Sequence, residues 1–214
     1  MAIELKEVTK KLNGNTVTDN VSVIFHPGEI AGLKGINGSG KTMLMRLISG
    51  LIFPTKGKIL INGEELGKEI SFPRSLGILI ENPAFLDYCS GFQNLKLLAS
   101  IKNIITDREI NDTLIRVGLD PNDKKKYKKY SLGMKQRLGI AAAIMESPDI
   151  VILDEPTNSL DTEGIALVKQ ILAEEKQRGA TVIISCHDST ILTEMSDIVY
   201  TISNGRLFTG EGVS

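Results

Sequence analysis

The sequence predicts an α/β fold built on a mostly parallel sheet. Three observations carry this reading. Gly35-Ile36-Asn37-Gly38-Ser39-Gly40-Lys41-Thr42 is a complete G-x-x-x-x-G-K-[ST] phosphate loop. Continuous apolar runs at Ile30-Ala31-Gly32-Leu33, Ile150-Val151-Ile152-Leu153 and residues 181–185 read as strands buried on both faces. Helical periodicities fall between these runs, the alternation expected of parallel sheets.

The first part of the chain reads as β. Ile3 and Leu5 alternate with charged residues, as do Val21, Val23 and Phe25 with their neighbours. Asn13-Gly14 between them is a hairpin turn. Pro27-Gly28 closes the second strand before the strand that feeds the phosphate loop. After the loop, Leu44, Leu47, Ile48 and Leu51 recur at helical spacing, and Gly50 suits the helix end. Pro54 and Gly57 break the chain. Residues 58–61 form a strand ending at Asn62-Gly63, so a small antiparallel sheet is expected beside the core.

Residues 76–80 read as another short strand, ending at Glu81-Asn82-Pro83. Leu95, Leu98 and Ile101, then Ile110, Leu114 and Val117, predict amphipathic helices between Ser90 and Gly118. Lys124-Lys125-Lys126-Tyr127-Lys128-Lys129 reads as a solvated basic face; contact with nucleotide or lipid headgroups is its functional alternative. Leu138, Ala141, Ala142 and Met145 mark a helix after Tyr130-Ser131-Leu132-Gly133-Met134. Ile165, Val168 and Leu172 mark the next helix, stopped by Gly179. A short helix near residues 191–195, a strand at 198–202 and an Asn204-Gly205 turn complete the chain.

Composition narrows the class. The 214 residues are 42% hydrophobic, enough for a proper core. A net charge of −1 gives no global attraction to nucleic acid, and none is expected as a partner. Cys89 and Cys186 have neither zinc nor thioredoxin spacing and read as free thiols of a reducing cytoplasm. No signal peptide opens the chain, and no apolar stretch approaches the roughly 18–20 residues that span a bilayer. Work at a membrane would therefore require another chain as anchor. No internal repeat is visible.

In parallel α/β sheets the ligand lies beyond the carboxyl ends of the strands. The phosphate loop, Asp154-Glu155 and His187 all fall at such ends. Successive loop N–H groups converge on one anion, and the helix dipole adds positive charge there. Lys41, read as a surface cation of the loop, reaches the β- and γ-phosphates, and Thr42 offers its hydroxyl to Mg²⁺. Asp154 binds the same ion. Glu155 polarises the water that attacks the γ-phosphate, with His187 hydrogen-bonding both.

On these motifs the sequence resembles the nucleotide-binding subunit of ATP-binding cassette (ABC) transporters, along nearly its whole length. Tyr130-Ser131-Leu132-Gly133-Met134, followed by Lys135-Gln136-Arg137, stands for the family's Leu-Ser-Gly-Gly-Gln signature. Asp154-Glu155 matches Walker B, Asn158-Ser159-Leu160-Asp161 the D-loop, and His187 the switch histidine. The resemblance implies a P-loop NTPase with a RecA-like core, an antiparallel β subdomain and an inserted α-helical subdomain at about residues 83–145. It implies one ATP-binding domain over residues 1–214, using ATP and Mg²⁺. It further implies head-to-tail pairing, with Ser131 and Gly133 of one copy contacting the γ-phosphate held by the other, and with Asp161 of the D-loop also binding nucleotide. The partners would be integral-membrane permease subunits that hold the protein to the inner face of the cell membrane.

Three positions depart from the family pattern. Glu81 stands where a glutamine is usual, and as a carboxylate it is expected beside Mg²⁺ with Thr42 and Asp154. Met134 replaces the last signature amide. The region Lys10-Lys11-Leu12-Asn13-Gly14 lacks the usual adenine-stacking aromatic, leaving Leu12 to pack against the base. Ile80-Glu81-Asn82-Pro83-Ala84-Phe85 and the altered signature resemble the branch that exports peptide antibiotics or confers bacteriocin immunity. A small-molecule P-loop kinase and a non-transport ABC ATPase acting on ribosome or DNA are the alternatives. The first leaves Ser131-Leu132-Gly133 unexplained; the second lacks a tandem cassette or a coiled-coil insertion.

Overall fold

The computed structural model describes residues 1–81 and 83–209. Asn82, in the stretch after the short strand at residue 76, lies outside the described residues. Strands β1 (Ile3–Leu12) and β2 (Asn15–Phe25) form the expected hairpin. Asn13 (φ 48°) and Gly14 (φ 84°) make its two-residue turn, the left-handed pair that matches strand twist. With β4 (Lys56–Ile61) and β5 (Glu64–Glu65) they build an antiparallel sheet in the order β2-β1-β4-β5.

The second sheet holds β3 (Glu29–Lys34), β6 (Leu76–Leu79), β7 (Ile150–Leu153), β8 (Thr181–Ser185), β9 (Ile198–Ser203) and β10 (Arg206–Thr209). Its order is β10-β9-β3-β8-β7-β6, parallel except at β10. Every residue of β7 and β8 is buried, which explains their unbroken apolar sequence. Val151, Leu153, Val182 and Ile184 enter one hydrophobic cluster, while Ile150, Ile152 and Ile183 enter the cluster on the other face. β10 is absent from the sequence expectation. It is a mostly exposed edge strand whose four residues carry little apolar pattern.

Six helices accompany these strands among the described residues: α1 (Lys41–Ile48), α2 (Gly91–Lys102), α3 (Asp107–Arg116), α4 (Leu132–Ile144), α5 (Thr162–Gln177) and α6 (Ser189–Met195). Capping boxes open α2 (Ser90 with Gln93) and α3 (Thr106 with Glu109). The core of α2–α4 is continuous with that of the sheet: Leu95, Leu114, Leu138, Leu153 and Ile184 share one cluster. α4 approaches β6 closely. A Cβ on Gly77 would sit 1.7 Å from the carbonyl oxygen of Ala143, so only glycine fits.

One helical face differs from expectation. Leu95 is fully buried, but Leu98 is 37% and Ile101 79% exposed. The inward face of α2 is instead Gly91, Asn94, Leu95 and Ala99. Asn94 wins that place because its side chain bonds both the N–H and the C=O of Leu86 and the C=O of Ser90. A hydrophobicity count cannot foresee a buried amide satisfied in this way. In the basic run the five lysines are exposed, but Tyr127 is buried in a 3₁₀ turn, Tyr127–Lys129.

Candidate functional site

The phosphate loop joins β3 to α1, as the motif requires. Gly40 is the N-cap of α1, with φ 113° and no side-chain cap, so the first helical N–H groups stay open for an anion. A Cβ there would come within 2.9 Å of the Val17 carbonyl oxygen. Lys41 is not the surface cation expected from sequence. It is the first residue of α1 and only 7% exposed. Its Nζ folds back over the loop and donates to the carbonyl oxygens of Gly35 (2.7 Å) and Ile36 (3.3 Å). These acceptors replace the water lost on burial.

Across the cavity, Asp154 and Glu155 follow β7. The Thr42 hydroxyl donates to Asp154 Oδ2 at 2.6 Å, and the Ser185 hydroxyl donates to Asp154 Oδ1 at 2.5 Å. Ser185 Oγ also accepts the N–H of Glu155 at 2.9 Å. Glu155 lies in the left-handed region (φ 53°), costly for a non-glycine residue and characteristic of functional turns. Gln136 Nε2 holds its carbonyl oxygen at 2.9 Å, and the N–H of His187 donates to its Oε2 at 2.9 Å. His187 Nε2 stands 3.5 Å from Oε1. Burial pushes the Glu155 carboxyl above the ordinary carboxylate range; His187 and Lys41 pull it back, and Asp154 adds to the rise.

Gly38, Gly40, Lys41, Thr42, Asp154, Glu155 and His187 thus converge on one cavity of about 360 Å³, with Asn37 and Val17 also on its wall. Leu12 is not on it. The apolar side chain beside the loop is Val17, from the returning strand of the hairpin. Ile36 is 82% exposed and contributes through its carbonyl; Ser39 is buried behind the loop.

Glu81 also departs from expectation. Its carboxylate does not meet Thr42 or Asp154 but accepts a 2.5 Å bond from Arg46 Nη2 in the last turn of α1. Its backbone is left-handed (φ 62°), and Glu81 lines a cavity of about 740 Å³ with Asp154 and Glu155. Ser131, Gly133 and Asp161 form a separate depression with Arg137. Ser131 caps α4 through a 3.2 Å bond from the Met134 N–H, and Asp161 caps α5 through a 2.8 Å bond from the Gly164 N–H. None of the three lines the Lys41 cavity.

The donors suit Mg²⁺. Among the described residues no cluster of three His, Cys, Asp or Glu side chains forms a protein cage. A hydroxyl and a carboxylate in direct contact, Thr42 and Asp154, are instead the hard oxygens this ion takes beside phosphates and water. Ser185 and Gln136 are the site residues that sequence reasoning missed. Gln136 was visible beside the signature-like stretch, but its contact with the Glu155 backbone was not.

Comparison with known proteins agrees with this geometry. A family model described as "ABC transporter" matches residues 18–158. The ABC transporter ATP-binding protein YybJ of Bacillus subtilis (strain 168) is 52% identical, with 99% of this chain and 97% of that one covered. The bacitracin transport ATP-binding protein BcrA of Enterococcus faecalis is 36% identical over 96% of this chain and 67% of its own length. A solved ATP-binding subunit of an ABC transporter superposes with a TM-score of 0.87 at 27% identity, covering 98% of this chain and 90% of that one.

Proposed function

The chain belongs to the ABC transporter family as an ATP-binding, ATP-hydrolysing subunit, and from that premise we propose how its residues divide the work. The triphosphate sits on the open N–H groups at the start of α1, where the dipole and Lys41 meet its charge. Lys41 exchanges its two loop carbonyls for phosphate oxygens. Thr42 and Asp154 would hold Mg²⁺, and the ion would supply positive charge against the phosphate charge that develops during cleavage. Glu155, oriented by Ser185 at its N–H and Gln136 at its C=O, takes the proton of the attacking water. His187 sits against that carboxylate, placed to contact the γ-phosphate.

The outward presentation of Ser131, Gly133 and Asp161 supports a head-to-tail pair, in which these residues cover the nucleotide of a second copy. Among the described residues no helix is long and apolar enough to cross a membrane. We assign membrane-embedded permease subunits as partners, holding the chain at the inner face of the cell membrane. The name of the relative BcrA supports export of, or immunity to, peptide antibiotics as the cargo class.

The position of Glu155 carries this reading: half-buried, strained, fixed at both backbone ends and facing Lys41's cavity. Glu155→Gln keeps size and removes charge. It should slow hydrolysis by roughly 10²–10⁴-fold, the usual loss for a general base, with equilibrium MgATP binding retained. Hydrolysis at the wild-type rate in this variant would remove Glu155 from the chemistry.

A further inference from the structure

The five lysines of the run at residues 124–129 have no role in the site described above. All are exposed. Among the described residues the lysines that pair with carboxylates are Lys6, Lys68, Lys96, Lys102, Lys169 and Lys176. None of the five is among them. Asp120 and Asp123 in the same stretch leave it net positive, in a chain whose total charge is −1.

The turn that carries them is anchored. Tyr127 packs edge-on to Phe85, with ring centroids 5.3 Å apart, and its hydroxyl donates to the Pro83 carbonyl oxygen at 2.6 Å. Tyr130 accepts the N–H of Gly91 at 3.0 Å. Backbone bonds from Tyr127 to Cys89 (2.8 Å) and from Lys128 to Asp87 (3.2 Å) tie the turn to the segment between them. That segment presents Tyr88, 68% exposed. Lysines without a carboxylate partner are therefore held on a fixed support beside an exposed tyrosine, the amphipathic residue that settles at a membrane–water boundary.

We propose that this tyrosine-anchored lysine turn is a docking surface for the anionic headgroups of the membrane leaflet. The proposal rests on the reading that the chain works beside a membrane permease. The lysines line neither the Lys41 cavity nor the Ser131 depression, which sets them apart from the proposed nucleotide contacts. The run contains lysine without arginine. Compact, strongly hydrated point charges suit a diffuse layer of headgroups better than the planar, bidentate capture of carboxylates on a peptide. Each lysine close to an anionic surface strengthens partitioning about fivefold, an effect screened by salt.

The test is co-sedimentation of the full chain, without permease, with phosphatidylcholine vesicles and with phosphatidylcholine–phosphatidylglycerol vesicles. Wild type should pellet with the anionic vesicles alone and release as sodium chloride is raised. Replacing all five lysines by glutamine should weaken this at least about tenfold, and replacing all five by arginine should preserve it. ATP binding should be unchanged in both variants, which checks that they fold. Wild type that ignores anionic vesicles, or a five-glutamine variant that pellets as well as wild type, overturns the proposal. So does displacement by inorganic phosphate far beyond sodium chloride of equal ionic strength, which would mark a phosphate-ion site. Loss of permease-stimulated hydrolysis in lipid-free detergent, with vesicle binding unaltered, would assign the turn to an acidic protein segment instead. Vesicle binding needs neither permease nor hydrolysis, so its failure is separable from failure of the Glu155 assignment.

Discussion

At the scale of single residues, Glu155 shows how burial and chemistry interlock. Its carboxyl is raised first by burial and then by Asp154, against the pull of His187 and Lys41. A general base must be deprotonated, so hydrolysis should fall as pH drops through a pKa above the ordinary carboxylate value of about 4.3. His187→Ala removes one group that lowers that pKa and should move the acid limb of the residual kcat to still higher pH. A limb left at the solvated glutamate position in wild type would refute the argument. Stability runs the opposite way with pH. A carboxyl raised in the fold binds its proton more tightly there than in the unfolded chain. Its favourable contribution is present in acid and lost as pH rises through the folded pKa. Glu155→Gln should accordingly melt above wild type at neutral pH, with the gain disappearing in acid. Lys41 and Glu155 were legible from motif spacing, though the burial of Lys41 was not. Ser185 was illegible because its role depends on strand pairing. The register that sets Leu153 beside Ile184 brings Asp154 alongside Ser185, and sequence does not reveal which strands are neighbours.

At the scale of elements, α1 links two places. Thr42 and Arg46 lie one helical turn apart on it, so they share a face. Thr42 touches Asp154, while Arg46 holds Glu81. Arg46 and Glu81 border a groove of about 440 Å³ with Leu51, Phe85 and Leu98, separate from the Lys41 cavity. Their pair is partly exposed, and such pairs are worth at most about 1 kcal/mol, too little to govern the chemical step. Glu81→Gln and Arg46→Gln should therefore leave hydrolysis by the isolated subunit nearly intact and change its stimulation by the membrane partner. Exchanging the charges, Arg46→Glu with Glu81→Arg, should recover part of that stimulation. Near-complete loss of basal hydrolysis in Glu81→Gln would give Glu81 a direct chemical role. The strands and caps of this fold follow local rules that sequence displays openly: apolar runs for β7 and β8, Asn13-Gly14 for the hairpin, Ser90 and Thr106 as caps. The face of α2 and the partner of Glu81 follow from tertiary contacts, and there the pattern misleads. Exposed Leu98 and Ile101 look like core by spacing, while polar Asn94 occupies the core.

At the scale of the whole molecule, the site is divided. One chain brings the phosphate loop, Asp154, Glu155 and His187 to a single cavity, yet Ser131, Gly133 and Asp161 open onto another depression. Ser131 nevertheless sits at the N-terminus of α4, a place suited to an anion. Under the proposed function, a second copy turned head to tail would complete both half-sites; ATP would bridge the copies, and its cleavage would release them. Glu155→Gln with MgATP should accumulate as a dimer in light scattering, because the bridge is no longer cut and one carboxylate near the γ-phosphate is neutral. Ser131→Arg in the same background should restore the monomer by blocking the approach of α4 to the partner's nucleotide. Ser131 is an exposed cap, so the substitution costs the α4 cap, about 1 kcal/mol by the usual Ser→Ala figure, and should leave ATP binding by the single chain intact. Association is governed by mass action, so the measurement belongs at high protein concentration. A Glu155→Gln protein that binds MgATP and stays monomeric there, or one whose dimer ignores Ser131→Arg, would leave the outward-facing half-site without this purpose.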